Sequence, residues 1–269
     1  MSMIKKYILF VVVITIISCK YESKQDKLNN LNKNCDIKED HYTNGNIKLR
    51  AELEEGIEHG VYFKFHKNQA VEESGVKIKG KKNGLWKYYD SFGKIKSVKH
   101  FYNDSLVYNL DTSDFEYRSK KIDDVLQVET PKKWTIIKDI QNPVLLALKK
   151  ECEKDISFCP NLTITYELPI NTSEIETYLK KNDDVLKSSL DNYKVLKKRE
   201  YVFEGNKYFE KVYTGSSQGV NIGGITTWVF NNKRTYIITG LALNEKENSF
   251  LKYEGLFKDI INKIKLKKK

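Results

Sequence analysis

The stretch Lys82–Tyr89, KNGLWKYY, decides the fold of the first part of the chain, because a similar stretch occurs 24 residues earlier. That earlier stretch is Glu58–Phe65, EHGVYFKF, in which Tyr62 stands where Trp86 stands in the later one. Aromatic and polar residues that alternate in this way are typical of a β-strand with one buried face. The sequence therefore predicts β-structure built from a repeated unit.

The 24-residue step holds through three units between His41 and Leu110. The recurring positions are Gly45, Gln69 and Gly93; Ile47, Val71 and Ile95; Gly56 and Gly80; and Gly60 and Gly84. We expect Asn44-Gly45 and Asn83-Gly84 to form hairpin turns, since both central residues of such turns have positive φ. A fixed period of this length predicts stacked hairpins that cannot bury their aromatic faces alone.

The turn around Asn44-Gly45 and the run from Gly84 to Tyr89 resemble the MORN repeat, in the variant found in bacterial antitoxin-like proteins. The resemblance covers residues 41–110 and implies an all-β array of hairpins. It is weaker in unit one, which has Val61-Tyr62 for Leu-Trp, and in unit two, which has Gln69 for the turn glycine. The aromatic stripe is either a core that needs no ligand or a surface that binds a sugar, a lipid or a partner strand.

The N-terminal stretch 5–19, KKYILFVVVITIISC, starts with two lysines and continues as an apolar run. The run is shorter than the ~20 residues of a membrane-spanning helix and is typical of a signal peptide. It ends in Ile16-Ile17-Ser18-Cys19, which resembles the lipobox of bacterial lipoproteins. The resemblance implies a signal peptide over 1–18 and lipid on Cys19. An uncleaved anchor or a buried strand is the alternative. The lipoprotein hypothesis places the protein in a bacterial cell envelope, anchored to a membrane leaflet that the sequence leaves open.

The chain is basic, with 47 Lys and Arg against 36 Asp and Glu and a net charge of +11. Nucleic acid is the usual partner of a basic chain, but an exported lipoprotein does not meet the genome, so we expect none. We expect membrane lipid, through Cys19, and an unknown envelope protein as partners. Residues 19–40 are charged and Asn-rich and predict a disordered tether. The lysine-rich tail, Lys263–Lys269, is either a solvated terminus or a contact for anionic lipid.

Cys152 and Cys159 are the best candidates for a disulfide, because they flank a short polar loop and an envelope location permits such bonds. Closing that loop would contribute about 2–3 kcal/mol. Cys35 would then be left without a cysteine to pair with in the same chain, and it would be free or paired between molecules. Two cysteines at this spacing do not form a metal site, and all four histidines precede residue 101. We therefore expect no metal, no cofactor and no enzymatic activity.

The pattern changes beyond residues 111–121, which we predict to be the domain boundary. Strands are predicted over Val125–Val128, Val144–Leu148, Leu162–Leu168, Tyr193–Glu204, Lys207–Thr214, Ile225–Phe230 and Thr235–Leu243. Helices are predicted over Ser173–Leu190, with Ser173 and Glu176 as a capping box, and over Phe250–Ile264. This order predicts an α+β domain, in which helices flank an antiparallel sheet.

Residues 122–269 resemble the PsbP-like fold, which is shared by a photosystem II subunit and by a transport factor that binds the Ran GTPase. The resemblance is carried by Pro131–Trp134, Tyr193–Leu196, Gly205–Phe209, Arg234–Gly240 and Phe250–Ile261. It implies a sandwich of an antiparallel sheet and helices. It also favours a binding or assembly module over an enzyme, although fold alone does not settle function.

The Gly-rich stretch Gly215–Gly224, GSSQGVNIGG, lies between two predicted strands rather than before a helix, so it lacks the geometry of a phosphate-binding loop. We interpret it as a mobile hairpin loop. The candidate partner contacts in it are Gly215, Ser216, Ser217, Gln218 and Gly219.

Three functions remain open on the sequence alone. The first is a lipid-anchored envelope protein that binds or assembles without catalysis, and the residue pattern favours it. The second is an envelope hydrolase with a site at the domain interface, which would need His41, His59 or His66 to converge with carboxylates. The third is an immunity or antitoxin-like protein that shields the cell from an exported toxin.

Overall fold

The computed structural model describes residues 36–122, 126–137, 140–152, 158–203, 205–245 and 249–266. The predicted signal peptide over 1–18, the predicted lipidation site Cys19, and Cys35 lie outside these residues. The chain divides into two compact units, with the boundary between Thr112 and Ser113.

The first unit is a single antiparallel sheet of seven strands that lie side by side in chain order. The strands are β1 (Asp36–His41), β2 (Ile47–Glu54), β3 (Ile57–Phe65), β4 (Val71–Ile78), β5 (Lys81–Tyr89), β6 (Ile95–Tyr102) and β7 (Ser105–Leu110). Each consecutive pair forms a hairpin. The described part of this unit is therefore an antiparallel sheet of consecutive hairpins.

The turns of the sheet recur at the 24-residue step seen in the sequence. The amide N–H groups of Gly45, Gln69 and Gly93 donate to the carbonyl oxygens of Tyr42, His66 and Asp90, at 2.9, 2.9 and 3.0 Å. All three donor residues have positive φ, of 81°, 67° and 81°. Gln69 thus adopts the left-handed conformation of the glycines, which explains how the second unit keeps the same turn without a glycine.

The second set of turns corrects one prediction. Asn83-Gly84 is not a hairpin turn but lies inside β5, beside a shift of register between Ser74 and Val76 of the partner strand. The turn comes earlier, at Lys79-Gly80, where φ is 50° and 79°. Gly84 takes positive φ because the irregular pairing bends the strand there.

The predicted tether over 19–40 is also too long at its C-terminal end. Residues 36–40 belong to β1, which pairs with β2 from Asp36 opposite Leu53 onwards. The sequence of β1 is charged and has no apolar periodicity, so it did not predict a strand. Its charged side chains form ion pairs with nearby strands: Nε of Arg50 lies 3.4 Å from Oε1 of Glu39, and Nζ of Lys38 lies 3.2 Å from Oε1 of Glu58.

The second unit contains two antiparallel sheets. The larger has the order β10-β11-β12-β16-β15-β14-β13, and the smaller the order β17-β9-β8. Its strands are β8 (Tyr117–Lys121), β9 (Leu126–Pro131), β10 (Thr135–Ile136), β11 (Val144–Lys149), β12 (Asn161–Glu167), β13 (Asp191–Phe203), β14 (Asn206–Ser217), β15 (Val220–Phe230), β16 (Thr235–Leu243) and β17 (Lys265–Leu266). The unit begins before residue 122, since β8 lies within the stretch predicted to be a linker.

Two helices cover opposite faces of the larger sheet, so the predicted α+β class is confirmed. Helix α1 (Ile175–Ser189) packs Ile175 and Leu179 against Trp228. Helix α2 (Leu251–Ile261) packs its apolar stripe on the other face, where Phe257 lies against Gly240. The predicted capping box does not form, because the N-cap position of α1 is Glu174 and makes no side-chain hydrogen bond.

Candidate binding surface

The repeat sheet carries a row of aromatic rings on one face. Tyr62 of β3 and Trp86 of β5 have ring centroids 5.3 Å apart, although β4 runs between their strands. Gly75 of β4 makes this possible, since a Cβ there would lie 2.4 Å from the indole carbons of Trp86. Phe101 of β6 continues the row, with its centroid 6.4 Å from that of Trp86.

Lysine ammonium groups lie over these rings. Lys77 Nζ is 4.5 Å from the centroid of Tyr62, and Lys82 Nζ is 4.1 Å from that of Trp86. Ammonium groups at such distances are attracted by the ring electrons. We define the lysine–aromatic face as Tyr62, Trp86, Tyr88, Phe101, Lys77, Lys82 and Lys99, the last lying 5.4 Å from the centroid of Tyr88.

Carboxylates hold two of the lysines in place. Glu58 accepts hydrogen bonds from Lys77 at 2.5 Å and from Lys38 at 3.2 Å. Burial would raise the pKa of Glu58, but the two lysines hold that pKa below its usual value. Glu73 accepts from Lys82 at 3.1 Å. This face is therefore charged at neutral pH.

The hydrogen bonds of Lys82 fix its charge as well as its position. Burial would lower the pKa of its ammonium group, but hydrogen bonds to Tyr88 and Glu73 raise that pKa above its usual value. The Trp86 ring beneath is fully buried, with no exposed surface. Trp86 and Tyr62 are thus core, and Phe101 packs against them partly buried, so the face offers a partner ordered charges rather than an open ring for stacking.

The predicted partner loop has a different structure. Gly215, Ser216 and Ser217 end β14, and β15 starts at Val220, so the connection is the two-residue turn Gln218-Gly219 with φ of 51° and 78°. The remaining glycines of the stretch lie in the sheet beneath aromatic rings. A Cβ at Gly223 would lie 2.1 Å from Phe250, and one at Gly224 would lie 2.4 Å from Tyr213. The interpretation of Gly215–Gly224 as a mobile hairpin loop is therefore wrong outside the turn itself, because Gly223 and Gly224 serve close packing.

The cysteine pair named from the sequence is joined. A disulfide connects Cys152 and Cys159, whose Cα atoms are 5.7 Å apart. The disulfide lies in the connection between β11 and β12 of the second unit, so it is not part of the lysine–aromatic face, which belongs to the first unit.

His59 and His66 of the first unit do not meet. The His59 ring lies 3.1 Å from a carboxylate oxygen of Glu54, and the His66 ring lies 3.2 Å from the carbonyl oxygen of Tyr89. His59 lies in β3 and His66 directly follows that strand, seven residues later. At the rise of an extended strand their Cα atoms are roughly 23 Å apart. Within the described ranges, no three His, Cys, Asp or Glu side chains are placed to hold a metal ion.

One buried charge cluster was missed by the sequence analysis. Lys211 of β14 has a side chain only 2% exposed, and its Nζ lies 2.7 Å from Asp183 of α1. The Tyr193 hydroxyl donates to the same carboxylate at 2.6 Å. Burial lowers the pKa of Lys211, and the two donors hold the pKa of Asp183 low even though burial would raise it. The pair joins helix and sheet.

None of the helices formed by the described residues is both long enough and apolar enough to cross a membrane. No protein-family model matches the chain. No curated protein matches its sequence.

Several solved structures are similar to about half of the chain. The cyanobacterial PsbP from Synechocystis has 12% identity and a TM-score of 0.41, covering 56% of this chain and 92% of that one. The Ran-binding protein Mog1p of Saccharomyces cerevisiae has 8% identity and a TM-score of 0.41, covering 55% and 95%. LpqN of Mycobacterium tuberculosis, involved in cell envelope biogenesis, has 8% identity and a TM-score of 0.42, covering 57% and 91%. The similar structures thus include the two kinds of protein that the sequence resemblance named.

Proposed function

We propose that this protein is a lipid-anchored protein of a bacterial cell envelope that binds or assembles with a partner protein and has no catalytic activity. In this proposal Cys19 carries the lipid, residues 41–110 form a MORN-type array, and the second unit is a PsbP-like binding module. The exact recurrence of the turns at Gly45, Gln69 and Gly93 supports the repeat interpretation.

The observation that carries the proposal is the lysine–aromatic face. Lys77 and Lys82 are ordered by the rings below them and by the carboxylates of Glu58 and Glu73, and Lys99 lies over the ring of Tyr88, so a partner that binds this face meets side chains that are already partly immobilised. Lys99 is the lysine best placed to receive a partner, since no carboxylate pairs with it among the residues that the structure describes. Rigid charges on a sheet suit recognition of a protein surface rather than bond-making chemistry.

The first test concerns the anchor. Cys19→Ser should abolish incorporation of labelled fatty acid and release the protein from the membrane fraction. Unchanged fractionation of this variant would show that the lipid hypothesis is wrong.

The second test concerns the partner. Chemical crosslinking in intact cells, followed by mass spectrometry, should identify one partner protein reproducibly with the wild type. This partner should no longer be crosslinked to the Lys99→Glu variant. The matched control is Lys96→Glu, which makes the same charge change on β6 but three residues away, on the opposite face. Recovery of bulk membrane proteins only, or equal loss in both variants, would overturn the binding function.

A further inference from the structure

Strand β7 forms an edge of the repeat sheet and differs from the other long edge strands. Its sequence, SLVYNL, contains no charged residue. The edge strands β1, β8 and β13 read DIKEDH, YRSKK and DNYKVLKKREYVF, and β10 and β17 have two residues each. Charges and shortness at an edge discourage pairing with another chain. Among the described strands, β7 is thus the long edge without this protection.

The side chains of β7 continue the lysine–aromatic face. Leu106 is opposite Phe101, and Asn109 is opposite Lys99, so Leu106 and Asn109 point to the same side as that face. Leu106 is 48% exposed. A strand added to β7 would therefore extend the face by one row and cover an exposed leucine.

The positive charge of the two strands nearest to β7, namely β5 and β6, favours an acidic strand as the partner. Strands β5 and β6 contain five lysines and no acidic residue, whereas β1 alone contains three acidic residues. A strand added to β7 would lie about 10 Å from β6, which is two strand spacings. This distance is close to the Debye length of about 10 Å at 0.1 M salt, so Lys99 would attract acidic side chains on the added strand, and the attraction would weaken as salt is raised.

The same charges offer a second copy of this chain no electrostatic attraction, in contrast to an acidic strand. Pairing of two β7 strands would bring two β6 strands, each with Lys96 and Lys99, to within about three strand spacings, or roughly 14 Å. Lysines of the two copies would then lie on both sides of the β7–β7 pair, with no acidic residue of β6 or β7 to complement them.

We propose that β7 is the docking edge for an extended acidic segment of a partner polypeptide, which adds to the sheet as a further antiparallel strand. This proposal rests on the proposed binding function and names the class of partner. Backbone hydrogen bonds to β7 would supply affinity, while attraction between the acidic side chains of the added strand and Lys99 would supply selectivity.

The test uses the purified full-length protein and two fluorescent peptides, (Glu-Val)4 and (Lys-Val)4, with binding followed by fluorescence anisotropy. The acidic peptide should bind, the basic one should not, and binding should weaken as salt is raised. Leu106→Glu should weaken binding at least about tenfold. The matched control is Ile37→Glu on the opposite edge strand, at a residue that is 46% exposed, and it should leave binding unchanged.

Asn109→Glu gives an independent readout, because it introduces the same charge at an exposed polar residue and removes no apolar contact. Equal binding of both peptides, or binding that Leu106→Glu and Asn109→Glu leave intact, would overturn the edge proposal even if a partner is recovered from cells. Conversely, failure to recover any partner from cells would overturn the binding function even if the acidic peptide binds. A dimer in mass photometry without peptide binding would assign β7 to a second copy and overturn the acidic-segment proposal.

Discussion

The Lys82 ammonium group lies 4.1 Å from the centroid of the Trp86 ring and 3.1 Å from a carboxylate oxygen of Glu73. The ring is buried beneath it, and both charged side chains are mostly withdrawn from water, with exposed fractions of 26% and 15%. Water and salt therefore screen this contact less than an ordinary surface ion pair. The lysine contributes both to the stability of the sheet and to the charge that the face presents.

Lys82→Met keeps the aliphatic stem but removes the charge, so it separates these two contributions. We expect a loss of about 1–2 kcal/mol in the stability of the first unit, because the cation–ring attraction disappears and Glu73 loses its ammonium partner. Hydrogen exchange measured by mass spectrometry over β4 to β6 should show faster exchange. Lys81→Met, at the exposed neighbouring lysine, is the control and should change exchange little. Equal effects of the two substitutions would contradict the assignment.

The glycine at 223 gives a prediction about the second unit. A Cβ there would lie 2.1 Å from Cγ of Phe250, so Gly223→Ala should cost about 1–3 kcal/mol through overpacking. The control is Gly219→Asn in the neighbouring turn, where a Cβ meets nothing within 4 Å and φ is +78°. Asparagine tolerates that conformation, so this variant should unfold in urea almost as the wild type does. If Gly223→Ala cost no more stability than Gly219→Asn, the stretch would behave as the mobile loop that the sequence suggested.

The predictable parts of this fold are those encoded within short segments. The 24-residue recurrence indicates β-hairpins, although the turn expected at Asn83-Gly84 lies at Lys79-Gly80. The stripe from Phe250 to Ile264 indicates the last helix, because each pattern is local. The charge pairs were not predictable, since they depend on strand register. Lys211 and Asp183 are 28 residues apart and meet only because α1 lies across β14. Likewise, nothing near Gly223 in the sequence indicates that a ring from residue 250 will cover it.

The buried carboxylate Glu254 of α2 gives a prediction about pH. It lies 3.0 Å from Lys197 and 2.9 Å from Lys258, with a side chain 6% exposed. Burial would raise its pKa, but the two lysines hold it below its usual value of 4.5. Because the folded state holds this pKa below that of the unfolded state, the charged form stabilises the fold above about pH 4.5, and this contribution is lost as pH falls through the lowered pKa.

Glu254→Gln should therefore reduce stability by about 1–3 kcal/mol at pH 7, and its deficit relative to the wild type should shrink on acidification to pH 3. Urea unfolding at the two pH values measures both quantities. Glu176→Gln, at an exposed position of α1, is the control and should show no such dependence. A deficit that stays constant with pH would mean that the carboxylate charge does not stabilise the fold.

The pair of Lys211 and Asp183 gives the opposite pH dependence. Asp183→Asn keeps the shape of the side chain but leaves the Lys211 ammonium group, 2% exposed, without its carboxylate. We expect a loss of about 3–5 kcal/mol at pH 7, since an uncompensated charge is then buried. Burial already lowers the pKa of Lys211, and removing Asp183 lowers it further, so the unfolded state binds more protons and stability rises with pH. The deficit relative to the wild type should therefore shrink between pH 7 and pH 10 in urea unfolding. Asp184→Asn, at a side chain that is 60% exposed, is the control and should cost at most about 0.5 kcal/mol. A deficit of Asp183→Asn that stayed constant between pH 7 and pH 10 would show that Lys211 is not charged in the fold.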